Sequence, residues 1–119
     1  MIPGIRSTLA GLILGVGGKA VHLDVGTVAA AGSTQSGAAP LTAPVNIVTG
    51  ASGTNGVRLP KPARPGQIVW VYSSAATNAL KVYPHAGGDI NDGTTNASID
   101  VTARTLRAFI AVDSTTWAA

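Results

Sequence analysis

The sequence contains no cysteine and no glutamate, and few charged residues of any kind. Without cysteine there is neither a disulfide framework nor a thiolate metal site. Only 11% of the 119 residues are Asp, Glu, Lys or Arg, against about 25% in an ordinary soluble domain. Aromatic residues are scarce too, at 4%. No apolar run approaches the ~18 residues of a membrane-spanning helix, so no membrane partner is expected. The apolar run Leu9 to Val16 follows Arg6 in the manner of a leader peptide. Gly17-Gly18 and Lys19 end it early, and no cleaved leader is expected.

What fills the space is small and apolar. Hydrophobic residues make up 45% of the chain, and there are 15 glycines. The polar positions are chiefly Thr, Ser and Asn. A surface so poor in charge is weakly protected against association. Much of it is therefore expected to be covered in the working state, by copies of the chain or by a larger partner. The net charge of +3 reflects a shortage of acids more than a basic patch. The only cationic cluster is Arg58, Lys61 and Arg64, too small a footprint for a nucleic-acid partner.

Three zones follow along the chain. Residues 1–26 form an apolar arm spaced by glycines. Ile5, Leu9, Leu12, Ile13 and Val16 share one helical face, but the interspersed glycines each cost about 1 kcal/mol in a helix. The arm is expected to take its shape from what it packs on. Residues 27–44 have linker-like composition. These segments divide the chain into an arm and linker (1–44) and a β domain (45–119).

In the β domain, short apolar runs alternate with turn signals. Val45 to Val48, Val57 to Leu59, Gln67 to Tyr72, Ala79 to Tyr83, Ser98 to Val101, Thr105 to Val112 and Thr115 to Ala118 all read as strands. Gln67 to Tyr72 is apolar on both faces and is expected at the centre of a sheet. Trp70 is expected in the core. Gly87 to Gly93 reads as a turn, with Asn91-Asp92-Gly93 as a hairpin-type signal, and Thr115 to Ala118 is expected at an edge. Seven short strands predict a mainly β fold: an antiparallel sandwich or barrel, jelly-roll-like, behind an extended N-terminal arm.

Chemistry finds little support. His22 and His85 have no local ligand partners, and a metal site needs three or four clustered ligands. Asp89 to Gly93 lacks the spacing of a calcium loop and any downstream glutamate. The five aspartates, Asp24, Asp89, Asp92, Asp100 and Asp113, sit in or beside turns or point outward from strands. No Gly-x-Ser-x-Gly elbow occurs. Gly15 to Lys19 lacks the spacing of a phosphate loop. The expectation is a protein that is not an enzyme, with no cofactor and no metal. The stretch Arg58-Leu-Pro-Lys-Pro-Ala-Arg-Pro-Gly is read as a stiff loop between strands. Its cations Arg58, Lys61 and Arg64 are expected to meet acidic groups on a partner.

A further pattern spans residues 37–119. Pro44-Val-Asn-Ile-Val-Thr is followed by Gly56-Val-Arg-Leu-Pro and Pro65-Gly-Gln-Ile-Val-Trp-Val. Then come Asn78-Ala-Leu-Lys-Val-Tyr-Pro, Gly88-Asp-Ile-Asn-Asp-Gly and Thr115-Thr-Trp. In this order they resemble the C-terminal β domain of tailed-bacteriophage capsid decoration (cement) proteins and head fibres. The resemblance implies a homotrimer on the outer surface of the virion head, bound to the major capsid protein and stabilising its lattice. It implies no catalytic residues. Ile5, Leu9, Leu12 and Ile13 are then the expected capsid contacts of the arm. The alternative is a carbohydrate- or receptor-binding β domain of a phage tail or fibre, which requires exposed aromatics such as Tyr83 and Trp117.

Overall fold

The computed structural model describes residues 22–119. The arm contacts Ile5, Leu9, Leu12 and Ile13 lie outside the described residues. Within 22–119 there are ten strands and no helix. They are β1 (Val25–Ala29), β2 (Ala39–Pro40), β3 (Val45–Thr49), β4 (Gly56–Arg58) and β5 (Ile68–Ser73). Then follow β6 (Leu80–Tyr83), β7 (Asp89–Ile90), β8 (Ile99–Val101), β9 (Leu106–Ala111) and β10 (Thr116–Ala118). The mainly β expectation holds.

Two sheets result. One has six strands in the order β1-β3-β5-β9-β10-β7, and the other has four in the order β2-β4-β6-β8. From β1 to β6 the chain changes sheet at every step. It winds as a coil, with odd strands stacking in one sheet and even strands in the other. Neighbours within the coil are therefore parallel: β1 with β3, β3 with β5, β2 with β4, and β4 with β6. Parallel strands need a crossover of about a dozen residues or more. Here each crossover is itself a strand of the opposite sheet.

This corrects the antiparallel expectation. Only β5 with β9, β9 with β10, and β6 with β8 run antiparallel, and β10 with β7 is parallel. The physical reason lies in the turns. After β3, the Asn55 amide donates to the Gly50 carbonyl at 2.8 Å, and its Oδ1 accepts from the Ser52 N–H at 2.8 Å. Gly50 and Gly53 adopt positive φ. The loop so tied carries the chain across to the other sheet, not back beside β3. A tight antiparallel return occurs after β9, where Asp113 Oδ1 accepts from the backbone N–H groups of Thr115 and Thr116 at 2.8 and 2.9 Å. That contact holds the Asp113 carboxyl below its ordinary pKa, chiefly through the Thr115 N–H. Asn91 and Asp92 do take the left-handed conformation their turn signal requires.

Both sheets feed one buried cluster. Val48, Val71, Phe109 and Trp117 come from the first sheet, and Val57, Leu80, Val82 and Val101 from the second. Trp117 and Phe109 are fully buried. β4 approaches β6 so closely that a Cβ at position 56 would collide with the Lys81 carbonyl oxygen, which explains Gly56. Residues 27–44, linker-like in composition, supply most of β1 and all of β2. β5 lies inside its sheet as expected. β10, expected at an edge, lies between β9 and β7. Its register against Asp89 and Ile90, which the sequence reads as part of a turn, covers that side.

Candidate functional site

The most unusual surface is the outer face of the six-stranded sheet. Side chains alternate across a sheet, so burial of Val48, Val69, Val71 and Phe109 inward sends their neighbours outward. The register then lines these neighbours up in rows. Val25, Val45, Trp70 and Ala108 form one row. Thr27, Ile47, Tyr72 and Leu106 form the next. Ile68, Ile110 and Ala118 form a third. No position in these rows carries a charge. Val25 is 58% exposed, Leu106 53% and Ile110 42%.

Trp70 is thus half-buried on this outer face, correcting its expected place in the core. The alternating pattern placed Ile68, Trp70 and Tyr72 on one face, but both faces of β5 are apolar. Only the partner sheet decides which one is inside. Trp117 and Tyr83, the aromatics required on the surface by a sugar-stacking platform, are 0% and 7% exposed.

A second feature gathers part of the cationic cluster. β2, β4 and β6 run parallel and so deliver their carboxyl-terminal ends to the same side. A cavity of about 340 Å³ opens there. Arg58 and Lys61 line it together with His85, Gln35 and Ser36, and Leu59 and Pro60 add apolar surface. Arg64 is not among the lining residues; it sits in the exposed turn before β5. Arg58 is held in place because its Nη1 donates to the carbonyls of Ser36 and Ala38 at 3.2 and 2.7 Å. Gln35 Nε2 donates to the Pro84 carbonyl at 3.1 Å, pinning the loop that carries it to the loop that carries His85.

His85 is 7% exposed, and its Nδ1 is buried without a hydrogen-bond partner. The imidazole lies flat on Gly88, where any Cβ would strike the ring. Burial lowers its pKa from the ordinary value, and the Lys61 ammonium lowers it further, while Asp89 opposes both. Sequence reasoning left His85 without neighbours. The signal that finds it is the parallel register: Val57 lies opposite Val82 and Arg58 opposite Tyr83. Continuing that register brings Pro60 and Lys61 to the level of His85 and Ala86.

Among the described residues, no group of three His, Cys, Asp or Glu side chains is placed to hold a metal ion. No helix there is long and apolar enough to cross a membrane. Comparison of the chain with protein-family models, with curated proteins and with solved structures returned no match.

Proposed function

We propose that this chain is a structural, non-enzymatic assembly protein that docks through the outer face of its six-stranded sheet. The observation that carries the reading is the uncharged outer face itself. Parallel sheets normally have both faces covered by other layers. Here β1, β3 and β5 are parallel, yet among the described residues only their inner face meets a second layer. The two sheets feeding one core support a sandwich as the architecture.

The resemblance gives this docking a setting: a capsid decoration protein of tailed phages. It would assemble as a homotrimer and bind the major capsid protein on the outer surface of the virion head. Its action is mechanical. Each copy bridges capsid subunits and raises the work of separating them, and many copies multiply the effect. The apolar sheet face suits contact between copies, and Ile5, Leu9, Leu12 and Ile13 remain the proposed capsid-facing residues of an N-terminal arm. The test is cryo-electron microscopy of heads assembled with and without the chain. Density for the chain on the outside of the head is expected, lost on deletion of residues 1–16. Heads without such density, or undiminished binding of the truncated chain, would reject the reading.

The second reading, a carbohydrate- or receptor-binding β domain of a tail or fibre, loses Trp117 and Tyr83 as a stacking platform. The feature that favours it is the cationic cavity at the ends of β2, β4 and β6.

A further inference from the structure

We propose that the cavity at the carboxyl-terminal ends of β2, β4 and β6 is a binding site for a small organic oxyanion. Arg58, Lys61 and His85 would face the anionic group, and Pro40, Leu59 and Pro60 would carry the carbon skeleton. The site is separate from the sheet face and does not depend on how copies of the chain associate.

Charge is the first argument. The chain has only 8 Lys and Arg, yet two of them converge with a histidine on one concavity lined by no acidic side chain. Such convergence is repulsive on its own, and a concave, partly apolar wall concentrates the resulting positive potential. A bound anion removes the repulsion. Asp89 acts on His85 from outside the cavity lining, and its Oδ1 accepts from Thr116 Oγ1 at 3.0 Å.

Preorganisation is the second. Two carbonyls fix one nitrogen of the Arg58 guanidinium. Its Nε and Nη2 make no hydrogen bond among the described residues, and a guanidinium offers such donors in a planar fork suited to phosphate or carboxylate. Lys61 likewise has no carboxylate partner there; the ion pair found among the described residues joins Lys81 to Asp100.

His85 supplies the third. It is a polar side chain more than nine-tenths buried, it lines the cavity, and neither ring nitrogen has a hydrogen-bond partner among the described residues. With Nδ1 sealed against the protein, the ring can meet a ligand through Nε2. The 340 Å³ of space falls at the small end of ligand cavities. That size suits a single sugar or a molecule of similar bulk.

The anionic group has two candidate forms, a phosphate and a carboxylate, and the experiment separates them. The full chain, labelled with 15N, is titrated in parallel with inorganic phosphate, glucuronic acid and neutral glucose. NMR shifts and calorimetry provide the readouts. Saturable shifts confined to residues near Gln35, Arg58, Lys61 and His85 are expected with at least one anion and none with glucose. A preference for phosphate marks a phosphoryl ligand, and a preference for glucuronate marks an acidic sugar. Arg58→Gln should weaken binding about tenfold or more, since one charge-assisted hydrogen bond is lost. Lys61→Gln, at an exposed side chain, tests the same site without risk to the fold. Arg64→Gln, outside the cavity, should bind as the unaltered chain does. Absence of saturation with both anions would overturn the proposal. So would equal weakening by Arg64→Gln and Lys61→Gln, which would mark a diffuse charge effect.

Discussion

The two faces of the six-stranded sheet are written in nearly the same letters but lead different lives. Inward, Val48, Val69, Val71 and Phe109 are at most 3% exposed. Outward, an odd number of residues away along the same strands, Ile68, Leu106 and Ile110 are more than 40% exposed. Neither face carries much charge. The difference is that the four-stranded sheet covers one face and no described residue forms a layer over the other. Composition alone does not tell the two faces apart; the second sheet does. The inner face forms the core between the two sheets, and the outer face is the one proposed for assembly.

Substitutions can break this comparison, and the inner face should respond most. Trp117→Ala removes a fully buried indole, and a loss of about 3–5 kcal/mol is expected in urea unfolding. A much smaller loss would mean that the inner face is not the principal core. Leu106→Lys combined with Ile110→Lys should change monomer stability by only about 0.5 kcal/mol per site, as exposed substitutions do. A loss as large as that of Trp117→Ala would show that the outer face is covered within one chain.

Beside the second sheet, His85 adds a pH dependence. Its folded pKa is lowered by burial and by Lys61, with Asp89 opposing. The unfolded chain therefore takes up the proton first, near the ordinary value of about 6.5. Stability should be full above that pH, fall as pH drops through the lowered folded value, and then level. His85→Gln should flatten the decline in pH-dependent unfolding. An unchanged slope would exclude His85 as its source.

The smallest effect belongs to the surface ion pair of Lys81 and Asp100 at 2.9 Å, with Asp100 mostly in solvent. Lys81→Ala should cost about 0–1 kcal/mol, less in high salt. An effect comparable to a core truncation would mean that the four-stranded sheet depends on this pair.

Several parts of this arrangement were legible in the sequence. Val-Asn-Ile-Val, Ile-Val-Trp-Val-Tyr and Leu-Arg-Ala-Phe-Ile-Ala mark strands by their length and β-branched content. The apolar flanks on both sides of β5 place it inside a sheet. What the sequence hid was pairing. A strand followed by Gly and Asn looks the same whether the loop returns beside it or crosses to another sheet. The turn from Gly53 to Gly56 therefore gives no sign that the chain crosses to the other sheet and continues a coil. The same ambiguity hid the cavity, because Arg58 and His85 become neighbours only through the parallel register of β4 and β6. It also misplaced Trp70, whose neighbours are apolar on either side. Asp89 and Ile90 were lost for a further reason: a two-residue strand has too few positions to show a period.

The central claim is that the outer face of the six-stranded sheet is an association surface. Sedimentation velocity over a range of concentrations tests it most directly. It compares the unaltered chain with the Leu106→Lys, Ile110→Lys variant, with circular dichroism as a check on folding. The unaltered chain should sediment as a trimer and the folded variant as a monomer. A monomeric unaltered chain, or a folded variant that still forms the trimer, would contradict the account.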